Sequence, residues 1–243
     1  MAFCCLCENN VDAWVPHPAR AQRSPFMVLM GTVGSDLAVY GCPHCGCNDR
    51  DRHLWMYMAA AGLPEQLAGK RILHLAPEAS LEPRLLACQP AEYVRGDLFP
   101  ARAGIRRVDA EAIDFENGRF DLIIANHLLE HVRHPERALA EFARCLAPGG
   151  VLIAQTPYAP ALKHTFELAT PPSEDFATIY YGQVDHVRLF GGDIGALFNA
   201  AGLTGSLVPH AQMLGDFDPL DFGCNGREPF FAFSKPALEL EAA

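Results

Sequence analysis

No apolar run in this chain approaches the roughly 20 residues that a membrane-crossing helix requires, so no spanning segment is expected. The first ten residues, MAFCCLCENN, have neither a basic region nor an apolar signal core, and the expected location is a reducing cytoplasm. Positive charge is scarce. With 19 Lys plus Arg against 29 Asp plus Glu, the net charge of −10 repels phosphate backbones and disfavours nucleic acid as a partner. Internal repeats and low-complexity tracts are also missing. What is present is a chain of 243 residues, half of them hydrophobic, long enough for one soluble domain with a large core plus a small appendage. Composition leaves the oligomeric state open.

The stretch from Phe120 to Thr156 carries most of the information. Leu122 to Ala125 form a continuous apolar run, as expected for a strand covered on both faces, and Val151 to Ala154 repeat it. Between them Ala138, Leu139, Phe142, Ala143, Cys145 and Leu146 recur near helical spacing, and Pro148-Gly149-Gly150 stops the helix. The polar cluster Asn126-His127 and Glu130-His131 follows the first strand, at the edge where open α/β sheets bind ligands.

Nine cysteines are many for a reducing compartment unless some hold a metal. Cys4-x2-Cys7 and Cys42-x2-Cys45 are two knuckles whose four thiolates can close a tetrahedral, structural zinc site with no open coordination position. Cys5 and Cys47 stand close enough to compete as ligands. Between the knuckles, Phe26 to Met30 and Leu37 to Tyr40 read as short strands. This segment is too small to hold a core alone, and a bound ion would supply the missing stability. The chain therefore divides near residue 50, into a 1–50 zinc-knuckle subdomain and a 51–243 catalytic-type domain.

In the second part the pattern predicts a helix over Asp51 to Leu67, broken at Gly62-Leu63-Pro64, a strand over Arg71 to Leu75 and a helix over Ala79 to Cys88. Further strands are expected from Glu92 toward Asp97 and over Ile105 to Val108, ending at Asp109. A helix over Gly192 to Ala201 and a closing strand pair, Leu203 to Val208 with Pro229 to Ser234, complete it. Strands alternating with helices predict an α/β fold with a doubly wound, mainly parallel, seven-stranded Rossmann-like sheet.

These residues resemble the class I S-adenosylmethionine-dependent methyltransferases over about residues 50 to 236. LLEHVRHPERALAEFARCLAPGGVL carries the likeness most specifically. CPHCGCNDRDRHLW and the late Asp185-His186-Val187-Arg188 element resemble a zinc-knuckle subgroup of that family. The resemblance implies methyl transfer from S-adenosylmethionine to a small molecule such as a sugar, an amino acid or a secondary metabolite. Enzymes using the same sulfonium for cyclisation or aminocarboxypropyl transfer, and a non-catalytic binding module, are the alternatives.

The resemblance also implies the site. Asp97 would hold the ribose hydroxyls, Asp109 with Ala110 the adenine, and Asn126 with His127 the methionyl end, although each can instead be a turn, strand-end or capping residue. The loop after the first strand reads HLAPEAS where the family has GxGxG, so His74, Ala76 and Glu78 would face the cofactor without the usual glycines. His186 is the first candidate for general base, with His127 and Tyr158 as further catalytic groups. His131 beside Glu130 has a structural reading instead. Roughly 30 residues near 157–188 would form a substrate lid, with Tyr180 and Tyr181 as orienting groups and Arg188 as an anion anchor. Arg188 could instead pair with Asp185 or Asp193, and the lid aromatics could be plain packing.

Overall fold

The computed structural model describes residues 1–22, 24–215 and 217–237. It opens with a hairpin of β1 (Ala2–Cys4) and β2 (Asn9–Val11). The expected strand at Phe26 to Met30 is instead a helical turn, α1 (Pro25–Leu29). The reason is local. Ser24 caps it by accepting the Phe26 amide, and Pro25 sits at the start of the helix, where its missing N–H is not needed. Leu37 to Tyr40 is likewise a turn, anchored where the Asp36 carboxylate accepts the Ala38 amide.

The next helix, α2 (Asp49–Ala60), carries a reciprocal cap in which Asn48 and Asp51 each accept the other's backbone N–H. It ends short of Leu67, before Gly62 at φ +64°. The chain continues through β3 (Arg71–Leu75), α3 (Glu82–Ala87), β4 (Glu92–Asp97), β5 (Arg106–Arg107), β6 (Phe120–Ile124), α4 (Pro135–Cys145) and β7 (Leu146–Ile153). Helix α3 starts later than Ala79 because Ser80 is turned back to donate to Asp51 at 2.6 Å. In α4, Ala138, Leu139, Phe142 and Cys145 are fully buried along one stripe, as the periodicity requires. The helix ends at Cys145, before the expected stop: Leu146, counted in the helical stripe, and Pro148-Gly149-Gly150 lie within the next strand, with Gly149 at φ +75°. Last come β8 (Phe166–Glu167), α5 (Glu174–Tyr180), β9 (Arg188–Leu189), α6 (Ile194–Ala200), β10 (Thr204–Val208), α7 (His210–Met213), α8 (Pro219–Phe222) and β11 (Phe230–Ser234).

Seven strands form one sheet in the order β10-β11-β7-β6-β3-β4-β5. The five strands from β7 to β5 are mutually parallel, while β11 runs antiparallel to β7 and β10. Both faces are covered. Leu73, Leu75, Phe120 and Ile123 pack toward α4 and α6, whereas Ile72, Leu122 and Ile124 pack toward α2 and α3. The amino-terminal Cys4, Val11, Cys42 and Cys47 belong to this second core rather than to one of their own. The order in which strands are added reverses between β3, which leads outward to β4 and β5, and β6, which leads to β7 on the other side. A crevice at such a switch point is where doubly wound sheets bind ligands.

The region expected as an aperiodic lid is ordered by a small core of Met27, Ala159, Ala177, Tyr181 and Leu189, which packs α1 against α5 and the β8–β9 pair. Among the described residues, no helix is long and apolar enough to cross a membrane.

Candidate active site

The switch point gathers most of the residues singled out in the sequence. Register pairs Leu75 of β3 with Gly96 of β4, and His74 with Ile124 of β6, so Ala76 to Glu78, Asp97 and Asn126-His127 all follow neighbouring strand ends. Ala76 adopts φ +46°, a left-handed conformation that glycine takes more easily, and its amide donates to the Gly96 carbonyl at 2.8 Å. The alanine thus supplies the turn expected of a glycine. Glu78 is held from two sides, by His74 Nε2 at 2.5 Å and Asn126 Nδ2 at 3.3 Å. Burial pushes its carboxyl up, but the His74 charge and hydrogen bond outweigh burial and leave it below its usual value.

His74 itself is fully buried between Glu78 and the Tyr93 hydroxyl. This corrects its expected role: it orients Glu78 and has no surface to offer a ligand. Asn126 accepts the Gln155 amide while donating to Glu78, which ties β6, β7 and the first loop together. Asp97 uses Oδ1 to accept the Phe99 amide at 2.7 Å, and Asp109, exposed, accepts from Glu111 beside buried Ala110.

On the other side of His127 lies a cavity of about 470 Å³. His127, Glu130, Pro157, Tyr181, His186 and Arg50 line it. The Val187 amide donates to the Glu130 carbonyl, which seats the Asp185-His186 segment over the polar cluster that follows β6. His186 donates from Nδ1 to the Tyr181 carbonyl at 2.8 Å, and burial lowers it to about 4, so the ring is neutral at physiological pH. His127, also left-handed at φ +47°, has its ring between Glu130 Oε1 at 3.5 Å and Glu228 Oε1 at 3.7 Å. Burial lowers His127 well below the usual imidazole value and raises Glu130 to about 8.

The lid residues have other duties. Arg188 is 1% exposed and places all five of its N–H donors within the protein: on the Leu129, Val132 and Arg133 carbonyls and, twice, on Glu167. That corrects its expected role as an anion anchor, since no donor remains. It pairs with Glu167 rather than Asp185 or Asp193. Tyr181 is buried, with its hydroxyl accepting the Leu168 amide, and Tyr180 packs against Phe26, Phe166 and Phe176. Tyr158 bridges Val33 and Phe190 through its backbone and lays its ring edge against Phe231.

A family model described as a methyltransferase domain matches residues 58–206, more than half of the chain. The chain belongs to the class I S-adenosylmethionine-dependent methyltransferases. It is 29% identical over 118 residues to a demethylmenaquinone methyltransferase from Clavibacter sepedonicus, a match covering 42% of this chain and 48% of that protein, so the alignment spans about half the relative's length. Two solved structures share the fold at a TM-score of 0.50. One is from the complex of the Haloferax volcanii Trm112 methyltransferase activator with a methyltransferase, at 14% identity, covering 78% of this chain and 94% of that one. The other is a protein assigned as a sarcosine dimethylglycine methyltransferase from Galdieria sulphuraria, at 13% identity, covering 78% and 87%.

In this methyltransferase the donor set at the switch point fits the family's cofactor. Carboxylates at the ends of β4 and β5 suit a ribose diol and an adenine amine, and Glu78, kept ionised by His74, suits an ammonium group. The cysteines also converge. One sulfur each from Cys4, Cys42, Cys45 and Cys47 lies within 4.8 Å of the others. Cys4 is 3.6 Å from Cys47 and 3.9 Å from Cys45, close to the ~3.8 Å edge of a tetrahedron with zinc–sulfur bonds of ~2.3 Å. Cys7 stands 3.8 Å from Cys42, at the side of the cluster, and Cys5 turns away to the Arg52 carbonyl. Cys47 therefore occupies a place that the paired x2 spacing assigned to Cys7.

Several residues that the sequence did not single out organise this region. Arg52 is fully buried, stacks 4.0 Å from the Trp14 ring centroid, and donates to Cys47, Val39, Tyr40, Phe222 and Gly223. It joins the cysteine cluster to the loop before β11. His53, His210 and Glu228 form a buried polar group beneath the cavity. Only their three-dimensional convergence reveals them, because Glu228 lies 175 positions from His53.

Proposed function

We propose that this protein transfers the methyl group of S-adenosylmethionine to a small-molecule acceptor bound in the cavity beside His127. The carrying observation is the position of that cavity: it is lined by His127, next in sequence to Asn126 after β6, and by Pro157, Thr178, Tyr181 and His186 of the 157–188 segment, and has a volume within the usual ligand-pocket range of ~300–1,000 Å³. Ala76, Glu78, Asp97, Asp109, Ala110, Asn126 and His127 would hold the cofactor, which supplies an electrophilic methyl when bound. The chain's own task is to align the acceptor and accept its proton.

Proton acceptance belongs in this reading to His127. Its ring stands between two buried carboxyl groups, Glu130 and Glu228, which would stabilise an imidazolium as it forms. His186, the first candidate from the sequence, has one ring nitrogen tied to Tyr181, and its imidazole stands within 4.8 Å of ligand atoms of Glu130 and His131. Tyr181 lines the cavity, while Tyr158 and Tyr180 pack in the segment that supports it. Residues 1–50 act as a zinc-knuckle subdomain whose structural Zn²⁺ secures the far side of the core, and residues 51–243 carry the transferase. The acidic net charge supports a small-molecule acceptor over a nucleic acid, and thiolate zinc ligands would suit a reducing cytoplasm.

Incubation with S-adenosylmethionine and a panel of small acceptors tests the proposal. S-adenosylhomocysteine that appears only with an acceptor supports it. Methylthioadenosine released from cofactor alone would support cyclisation or aminocarboxypropyl transfer.

A further inference from the structure

We propose that Glu130, His131 and His186 form a second metal site, for a divalent first-row transition cation, inside the acceptor cavity. Three features of these residues converge on it. One ligand-capable atom from each lies within 4.8 Å of the others. Glu130 is 2% exposed, and its buried Oε2 has no hydrogen-bond partner, which is costly for a carboxylate unless a cation or donor meets it. Both imidazoles are held through Nδ1: His186 donates to the Tyr181 carbonyl at 2.8 Å, and His131 donates to the Asp185 carbonyl at 3.3 Å with the Asp185 carboxylate 3.3 Å from the same nitrogen. That arrangement leaves Nε2 of each ring with its lone pair, which is how metal-bound histidines are usually oriented.

Two imidazoles and one carboxylate, with the remaining positions open to solvent or substrate, suit Mn²⁺, Fe²⁺, Co²⁺ or Zn²⁺ and not the all-thiolate cage of the cysteine cluster. The site is built by the fold rather than by chance proximity on a surface. The Val187 amide to Glu130 carbonyl bond fixes the lid segment on the polar cluster, and the two imidazole rings meet edge to face at 4.8 Å between centroids. Arg50 lines the same cavity, with its buried Nε unpaired. Its positive charge opposes a bare cation but suits an acceptor whose anionic oxygens would bridge metal and guanidinium.

The inference deepens the proposed reading by assigning the acceptor site an oxygen-chelating metal, yet metal binding itself needs neither cofactor nor acceptor. The test is calorimetry and electron paramagnetic resonance of Mn²⁺ added to the zinc-loaded full-length protein. Mn²⁺ prefers oxygen and nitrogen donors and leaves a thiolate zinc site alone. One Mn²⁺ should bind per chain, and affinity should fall roughly tenfold or more in Glu130→Gln, His131→Ala and His186→Ala. Asp185→Asn, which alters only the group behind His131, should weaken binding by a similar factor while melting temperature and S-adenosylhomocysteine affinity stay unchanged. No binding up to millimolar Mn²⁺ and Co²⁺, or binding indifferent to these substitutions in folded variants, overturns the site. Mn²⁺ binding without S-adenosylhomocysteine binding would instead sink the methyl-transfer reading and leave the metal site standing.

Discussion

Arg188 and Glu167 form a two-pronged ion pair, Nε to Oε2 at 2.9 Å and Nη2 to Oε1 at 3.0 Å, that ties β9 to β8. The remaining donors of Arg188 satisfy three carbonyls of the segment after β6. Arg188→Met should therefore lower stability by about 1–3 kcal/mol, since the carbonyls that the buried guanidinium satisfies lose their donor while half-exposed Glu167 can turn to water. Denaturant unfolding measures it. A stable variant with only a raised KM would restore the substrate-anchor role.

Zinc analysis of purified protein should find about one equivalent, and Cys4→Ser, Cys42→Ser and Cys47→Ser should each abolish it. Because Cys7 flanks the cluster beside Cys42 and Cys4 but is not one of its four converging sulfurs, Cys7→Ser should retain more metal than Cys47→Ser. Chelation should lower the melting temperature, since binding free energy at a structural site is folding free energy. Less than half an equivalent in wild type would remove this assignment.

His127→Ala should reduce turnover by roughly 10²–10⁴-fold, the usual contribution of a positioned base, far more than it weakens S-adenosylhomocysteine binding. Steady-state kinetics alongside calorimetry separates the two effects. A fully active variant would exclude His127.

Much of the fold was legible because periodicity is a local property. The Arg71 to Leu75 strand, the Ala138 to Cys145 stripe and the final strand pair lie where the pattern put them. The departures arose where capping overrode apolar composition. Ser24-Pro25 turned Phe26 to Met30 into a helix, and Asp36 made Leu37 to Tyr40 a turn. The strand-end residues of the site were legible for the same reason as the strands. Arg188 and His74 were misread because a polar residue's partner is set by tertiary packing: their carbonyl, carboxylate and hydroxyl partners come from elements that spacing cannot connect. Cys47, weighed only as a competitor, was ranked behind Cys7 because its interval is non-standard, and Arg52 was hidden because its carbonyl acceptors are spread over three segments.

Glu141 sets a pH dependence on the acid side. The hydrogen bond from Arg144 holds its carboxyl below the ordinary value against the opposing effect of burial. A depressed carboxylate contributes stability that is present above its unfolded value and is lost as pH falls through the folded one. Wild type should thus lose stability on acidification below the usual carboxylate range more steeply than Glu141→Gln, as read by melting temperature against pH. Parallel curves would refute the contribution.

The central claim is that the carboxyl edge of this sheet holds S-adenosylmethionine, with Asp97 on its ribose. Calorimetric titration of S-adenosylhomocysteine into the zinc-loaded protein tests it most directly. The account predicts one site per chain, weakened in Asp97→Ala by about 1–3 kcal/mol, as when a charged acceptor is deleted. No detectable heat at millimolar ligand, or equal affinity in the two proteins, would contradict it.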